Sequence, residues 1–274
     1  MPPFPALARR VSVAVPGMAA FAAVAVLRET PLTAAFFAMI AALCGYEAAG
    51  LLDGGAAPAQ RAAAALLSAG CAAAVALLPE AVALPLVLVP GAVTGAWWMV
   101  TRGMEEAAGR IAGSIGLLAA VSLAFGLLAR IGIGAASPWV VFVPLAVCWA
   151  GDTAAYFAGV AFGRHRLAPA VSPAKSWEGF AAGLAASMGG AWLAGTVGAG
   201  LPAGWMLAAG AAGGVSGVLG DLFESALKRH AGVKDSGSLL PGHGGFLDRF
   251  DSLLGASPAV WLVLAVMDRL HGAA

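Results

Sequence analysis

Residues 111–130 read IAGSIGLLAAVSLAFGLLAR, with no charge before the closing Arg130. A helix rises about 1.5 Å per residue, so a run of this length covers the roughly 30 Å hydrocarbon core of a bilayer. Outward from it lie eight more such runs, at about 11–27, 32–52, 62–78, 81–100, 138–161, 179–199, 203–223 and 253–270. Only Pro79 and Glu80 separate the third from the fourth, which makes a tight hairpin or one broken element. The sequence therefore predicts an all-α polytopic membrane protein with about nine transmembrane helices. About five spans fill residues 1–130, and about four fill a C-terminal region over 131–274. Merging two runs would leave eight.

Composition agrees. Of 274 residues, 61% are hydrophobic and 11% charged, against roughly 25% charged in soluble domains, and the mean hydropathy is +0.88. Such a chain cannot cover a soluble globule with polar groups, and disorder and coiled coils are excluded on the same ground. The net charge of +1 gives no basic field for a nucleic-acid partner. Cys44, Cys71 and Cys148 each sit inside an apolar run and read as small buried hydrophobes, not as a disulfide framework or a zinc site. Abundant Ala and Gly reflect either close helix packing or compositional bias. No internal repeat is visible, which weighs against an inverted-repeat transporter.

Basic residues set the orientation. With nine spans and the N-terminus inside, only Arg28, Arg130 and Arg269 of the 15 lie outside. Arg9 and Arg10 precede the first run as in a signal peptide, but Arg28-Glu29-Thr30-Pro31 follows without a cleavage site. Two longer polar segments, 162–178 and 224–252, then face the cytoplasm.

The stretch 221–251 holds Asp221, Glu224, Lys228, Arg229, Lys234, Asp235, Asp248, Arg249 and Asp251, interleaved with Pro241-Gly242-His243-Gly244-Gly245. Asp221, Ser225 and Lys228 share one helical face at i, i+4 and i+7. Asp248 and Asp251 are i and i+3 at the start of the last span, on one face again. If the last two spans are neighbours, Asp221, Asp248 and Asp251 converge, and carboxylates that close need a cation. Hard oxygen ligands with open positions suit Mg²⁺ carrying substrate phosphates. Lys228, Arg229, Lys234 and Arg249 read as phosphate partners. Gly244 and Gly245 permit close backbone approach to a ligand. His243 is either a phosphate donor or a plain loop residue.

A second polar island lies upstream. Asp152 falls inside an apolar run, where a charge costs at least ~2.5 kcal/mol, so it marks either a functional site or a structural pair between helices. Tyr156, at i+4, can face the same cavity. Ser172-Pro173 reads as a helix N-cap and first position, with Lys175 in the first turn where anions bind. Glu47, at the end of the second run, reads as an acid facing water, or less simply as part of a site. Trp97 and Trp98 read as an interfacial belt, and Arg102, Glu105, Glu106 and Arg110 as a solvated loop.

Ser225-Ala226-Leu227-Lys228-Arg229, then Lys234-Asp235-x-Gly237, then Leu240 through Asp251 resembles the signature of the phosphatidate cytidylyltransferases (CDP-diacylglycerol synthases), with every fixed position filled. Asp152-Thr153-Ala154-Ala155-Tyr156 and Ser172 through Gly179 are similar to that family's second region, with Ser176 where threonine is expected. The resemblance covers about 140–265. It implies transfer of CMP from CTP to phosphatidate, giving CDP-diacylglycerol and pyrophosphate in phospholipid biosynthesis. It further implies dependence on Mg²⁺, a homodimer, and a site at the cytoplasmic face of the inner membrane. Phosphatidate would enter sideways from the cytoplasmic leaflet near Asp152.

Carried over by position, Asp221, Asp248 and Asp251 become metal-site and catalytic residues, joined by Lys228 and Lys175. Asp152, Tyr156, Ser172, Ser176, Ser225, Arg229, Lys234, Asp235, His243, Gly244, Gly245 and Arg249 become substrate-binding. Three carboxylates leave room for a second cation. The expected chemistry is in-line nucleotidyl transfer without a covalent intermediate, in which positioning and charge neutralisation carry the rate. The alternatives are a different acceptor lipid, a transporter or scramblase using Asp152 and Glu47, and an inactive structural partner. The motif of CDP-alcohol phosphotransferases is absent.

Overall fold

A backbone in hydrocarbon can bond only to itself, and so the apolar runs fold as helices. The computed structural model describes residues 4–27, 29–102, 107–239 and 244–271. The chain divides into two compact units, Met1–Ile133 with Leu227–Phe250, and Gly134–Ala226 with Asp251–Ala274.

The first unit holds α1 (Phe4–Leu27), α2 (Thr30–Leu52), α3 (Pro58–Leu77), α4 (Glu80–Leu86), α5 (Val89–Arg102) and most of α6 (Ala107–Gly134). Pro31 and Pro58 fall in the first turns of α2 and α3, where a missing N–H costs nothing. The two helices pack closely at Gly45, where a Cβ would lie 2.6 Å from Ser68 Oγ. The link at Pro79-Glu80 is a tight hairpin. Arg130, at the end of α6, ties it down: its Nε donates to the Val75 carbonyl at 2.7 Å, its Nη2 donates to the Leu78 carbonyl, and it pairs with Glu80 at 3.6 Å. The fourth span is itself broken between α4 and α5, beside Pro85 inside α4. Leu117, Leu118, Val121, Ala124 and Phe125 of α6 are fully buried.

In the second unit a short 3₁₀ turn, Pro138–Val141, runs into α7 (Phe142–Phe162). A small antiparallel hairpin of β1 (Arg166–Ala168) and β2 (Ser172–Ser176) follows, with Arg166 opposite Ser176 and Ala168 opposite Ser172. Next come α8 (Trp177–Ala191), continued as a π-helix to Gly198, then α9 (Ala203–His230) and α10 (Asp251–His271). The last turn of α9 belongs to the first unit. Helices α7 and α8 approach through small residues. A Cβ on Gly190 would lie 2.6 Å from the Ala146 carbonyl, one on Gly183 would lie 2.9 Å from that of Gly151, and Ser187 Oγ donates to the Val147 carbonyl at 2.8 Å. Here the glycines and alanines do the packing, whatever else shaped the composition.

Among the described residues, eight helices are long and apolar enough to cross a membrane, from Thr30–Leu52 to Asp251–His271. The protein is thus an all-α multi-pass membrane protein. The remaining expected span, at 11–27, lies in α1 and is not among these eight.

Two local expectations are corrected. Ser172 is not a helix N-cap, and Lys175 is not in a helical first turn, because both lie in β2. Val171 N–H bonds back to the Ala168 carbonyl at 3.1 Å, closing a turn through Pro169 and Ala170 that sends the chain back as a strand. The cap is Ser176, extended at φ −128° and ψ 157°, whose Oγ accepts from Gly179 N–H at 3.1 Å. Likewise Asp248 and Asp251 do not share a helical face. Asp248 lies in a separate 3₁₀ turn, Leu247–Arg249, and Phe250 at φ −127° and ψ 9° breaks the chain before α10 begins at Asp251.

Candidate functional site

In the first unit the polar segment folds around two buried acids. The end of α9 carries Lys228, whose Nζ donates to Asp248 Oδ1 at 2.6 Å, both side chains being nearly buried. Asp248 Oδ2 accepts the backbone N–H of Ser236 at 2.8 Å and that of Gly245 at 3.0 Å. Burial pushes the Asp248 carboxyl up, but the hydrogen bond from Lys228 and that from Ser236 outweigh it and hold the group below the ordinary carboxylate range. The glycines serve this geometry. Gly244 has a positive φ of 81°, and a Cβ on Gly245 would lie 2.6 Å from Asp248 Oδ2. The close approach read into Gly244-Gly245 is thus made to the loop's own acid.

The second acid is Glu47. It does not face water, being only 4% exposed. Its Oε2 accepts from Leu247 N–H at 2.9 Å and Ser236 Oγ at 3.2 Å, and its Oε1 accepts from Leu239 N–H at 3.2 Å. One carboxylate on α2 thereby fastens the segment that carries the motif at Ser236, Leu239 and Leu247. Phe250 closes the segment from below, edge-on to Phe125 with centroids 5.6 Å apart.

In the second unit β2 delivers Lys175, whose Nζ lies 2.6 Å from Asp221 Oδ2 on α9. Ser225 Oγ, one turn on, donates to Asp221 Oδ1 at 3.2 Å, as the shared helical face predicts. Asp221 and Lys175 are also the charged neighbours of Asp152 on α7. Ser252, at the start of α10, links two acids: its Oγ donates to Asp152 Oδ2 at 3.4 Å and its N–H to Asp251 Oδ1 at 2.6 Å. Asp152 and Ser252 line a small cavity of about 30 Å³, room for about one water. Tyr156 does not line it. The i+3 residue, Ala155, does, while Tyr156 is exposed against Phe157. Glu178 holds the hairpin by accepting from the N–H groups of Arg164 at 3.2 Å and His165 at 3.3 Å, and by pairing with His165 Nδ1 at 2.6 Å.

Of the other sequence candidates, Lys234, Asp235 and Arg249 are exposed on the segment. Arg229 Nη1 donates to the Val233 carbonyl at 3.1 Å. Ser172 pairs with Ala168 in the hairpin. His243 lies outside the described residues, as do the charges at Glu105 and Glu106. Sequence reasoning missed Ser252, a serine at a helix start with nothing in its spacing to mark it, and undervalued Glu47. An acid in an otherwise uncharged run was the available signal for Glu47.

The donor set fits a hard divalent cation. Among the described residues no three His, Cys, Asp or Glu side chains gather closely enough to cage a metal ion. Mg²⁺ needs no cage, because it binds through one or two carboxylates, substrate phosphates and water. Asp221 and Asp251 offer oxygens next to serine hydroxyl and backbone donors. Asp248 is engaged by Lys228, Ser236 and Gly245.

The site thus consists of acid–lysine pairs set in short polar segments of a multi-pass helical protein. The cytidylyltransferase family model matches residues 8–267, nearly the whole chain, and the chain belongs to that family. The phosphatidate cytidylyltransferase of Bacillus subtilis is 45% identical over 127 residues, 46% of this chain and 47% of that protein. The one from Mycobacterium bovis is 44% identical over 135 residues, 48% of this chain and 42% of that protein. The one from Haemophilus influenzae is 49% identical over 116 residues, 40% of each. The chain thus spans less than half the length of these relatives in each match.

Proposed function

We propose that the protein transfers CMP from CTP to phosphatidate, releasing pyrophosphate and forming CDP-diacylglycerol. The observation that carries this reading is the family match over residues 8–267, together with relatives that bear the phosphatidate cytidylyltransferase name at about 45% identity. The phosphate of phosphatidate is already an anionic nucleophile, and its attack on the α-phosphorus of CTP is opposed mostly by charge repulsion. Cations and donors held in fixed places therefore supply the catalysis. Lys175 and Lys228 bring positive charge in fixed geometry, each held by an aspartate. Asp221 and Asp251 would hold Mg²⁺, which would supply charge neutralisation on the transferring phosphates, while Asp248 would hold Lys228 in place. Asp152 would line the lipid side, and Ser176, Ser225, Arg229, Lys234, Asp235 and Arg249 would contact substrate. The site faces the cytoplasm of the inner membrane, where CTP is dissolved, and the protein works as a homodimer.

Pyrophosphate release by the purified protein with CTP and Mg²⁺, with and without phosphatidate, tests the reading. Release is expected only with phosphatidate, and Asp221→Ala is expected to lower it by about a hundredfold or more, the scale of losing a positioned charge on a transferring phosphate. Equal release with another phosphorylated lipid alone would reassign the acceptor. Full activity of Asp221→Ala would remove that residue from the metal site.

A further inference from the structure

Two membrane-crossing helices meet at the β1–β2 hairpin. The span Pro138–Phe162 closes just before it, and the span Trp177–Gly198 opens just after it. Residues 163–176 therefore lie where both spans leave the hydrocarbon, at the depth of lipid headgroups. Phe162 and Trp177 flank the hairpin at that boundary and are 70% and 55% exposed. An exposed tryptophan at the end of a span suits the headgroup layer. Deeper on α7, exposed Phe157 and Val160 offer apolar surface to acyl chains.

The hairpin is basic. Residues 163–176 carry Arg164, Arg166 and Lys175 and no acid. Lys175 is paired with Asp221. Arg164 and Arg166 are exposed, and among the described residues no carboxylate pairs with either guanidinium. Arg166 Nη1 makes one long hydrogen bond, to the Ala174 carbonyl at 3.5 Å, which leaves most of its five donors open. The acid next to the hairpin, Glu178, is taken up by the backbone N–H groups of Arg164 and His165 and by His165 Nδ1. Backbone bonds thus hold the hairpin in shape, and its two arginine side chains are left for something outside the protein.

A ligand that fits has negative charge at headgroup depth and an apolar tail below it. An anionic lipid has both. A phosphate monoester carries close to two charges at neutral pH and presents three strong acceptor oxygens. It therefore matches two guanidinium groups better than a phosphodiester with one charge does.

We propose that the hairpin is a docking surface for phosphatidate of the adjoining leaflet. Arg164 and Arg166 hold its phosphate, and its acyl chains lie along the exposed end of α7. The choice of phosphatidate rests on the reading of the protein as a phosphatidate-using transferase. Neither arginine is among the residues assigned above to the site. The surface adjoins that site, because β2 of the same hairpin carries Lys175 to Asp221. A lipid docked there is held beside Lys175 before transfer.

The test compares the full chain with Arg164→Gln/Arg166→Gln and Arg164→Lys/Arg166→Lys. Lipid retention is titrated by native mass spectrometry in detergent without CTP, using phosphatidate, phosphatidylglycerol and phosphatidylcholine in turn. Turnover is then followed in phosphatidylcholine vesicles over a range of phosphatidate mole fractions. Wild type is expected to retain phosphatidate in preference to phosphatidylglycerol, and phosphatidylcholine least. The glutamine pair should raise half-saturating phosphatidate and KM for phosphatidate at least about fivefold, the scale of one basic residue against an anionic membrane surface. Its kcat at saturating phosphatidate and its KM for CTP should stay within about twofold of wild type. The lysine pair keeps the charge and should stay near wild type in both measurements, which separates attraction from a folding defect. Unchanged retention and KM in the glutamine pair would leave the arginines with membrane orientation alone and overturn the docking surface. A rise in KM for CTP alone would overturn it in favour of a nucleotide contact, and equal retention of phosphatidylglycerol would overturn the choice of phosphatidate. In each of these cases phosphatidate-dependent turnover of wild type leaves the transferase reading standing. Arginine-dependent retention of phosphatidate without any turnover of CTP would sink that reading and keep the lipid site.

Discussion

Glu47 precedes Ser236 by 189 positions and Leu247 by 200, yet its carboxylate accepts hydrogen bonds from both and from Leu239 N–H. Replacing it with leucine would strand three donors, each costing about 1–3 kcal/mol when left unsatisfied. Glu47→Leu should therefore loosen the polar segment. Hydrogen–deuterium exchange is expected to show lost protection over residues 231–250 and little change in α7 and α8, and unchanged exchange in 231–250 would contradict the assigned role. The sequence revealed Glu47 as an acid in an apolar run but not its partners. Two of those partners are backbone N–H groups, which every residue carries. Ser252 was invisible for a related reason, since its links to Asp152 and Asp251 depend on where α10 begins. Asp221 with Ser225 was legible because helical spacing alone sets that contact.

At the scale of elements, the apolar runs were readable because hydrocarbon leaves the backbone one solution over about twenty residues. The hairpin was not. Ser172-Pro173 and Ser176-Trp177 both satisfy the local rules for a helix start, and the turn at Pro169 together with the hydrogen bonds to Glu178 decide between them. The outcome matters because β2, not a helix, presents Lys175 to Asp221. Ser176→Ala should cost about 1 kcal/mol of stability through the lost cap, read as a lower melting temperature in detergent. Ser176→Thr should retain most of it, whereas Ser172→Ala should have little effect on the start of α8. An equal loss from Ser172→Ala would restore the cap to that residue.

On the scale of the whole molecule, the chain is a multi-pass helical protein of the cytidylyltransferase family, and the activity proposed for it joins a soluble nucleotide to a membrane lipid. That claim concerns which bond of CTP is broken. The most direct measurement supplies the vesicle-reconstituted protein with phosphatidate, Mg²⁺ and CTP carrying a radiolabel on either the α- or the γ-phosphorus, and then extracts the lipid. The account predicts that the α-label enters the organic phase as CDP-diacylglycerol while the γ-label stays in water as pyrophosphate. Movement of the γ-label into lipid, or of neither label, would contradict it.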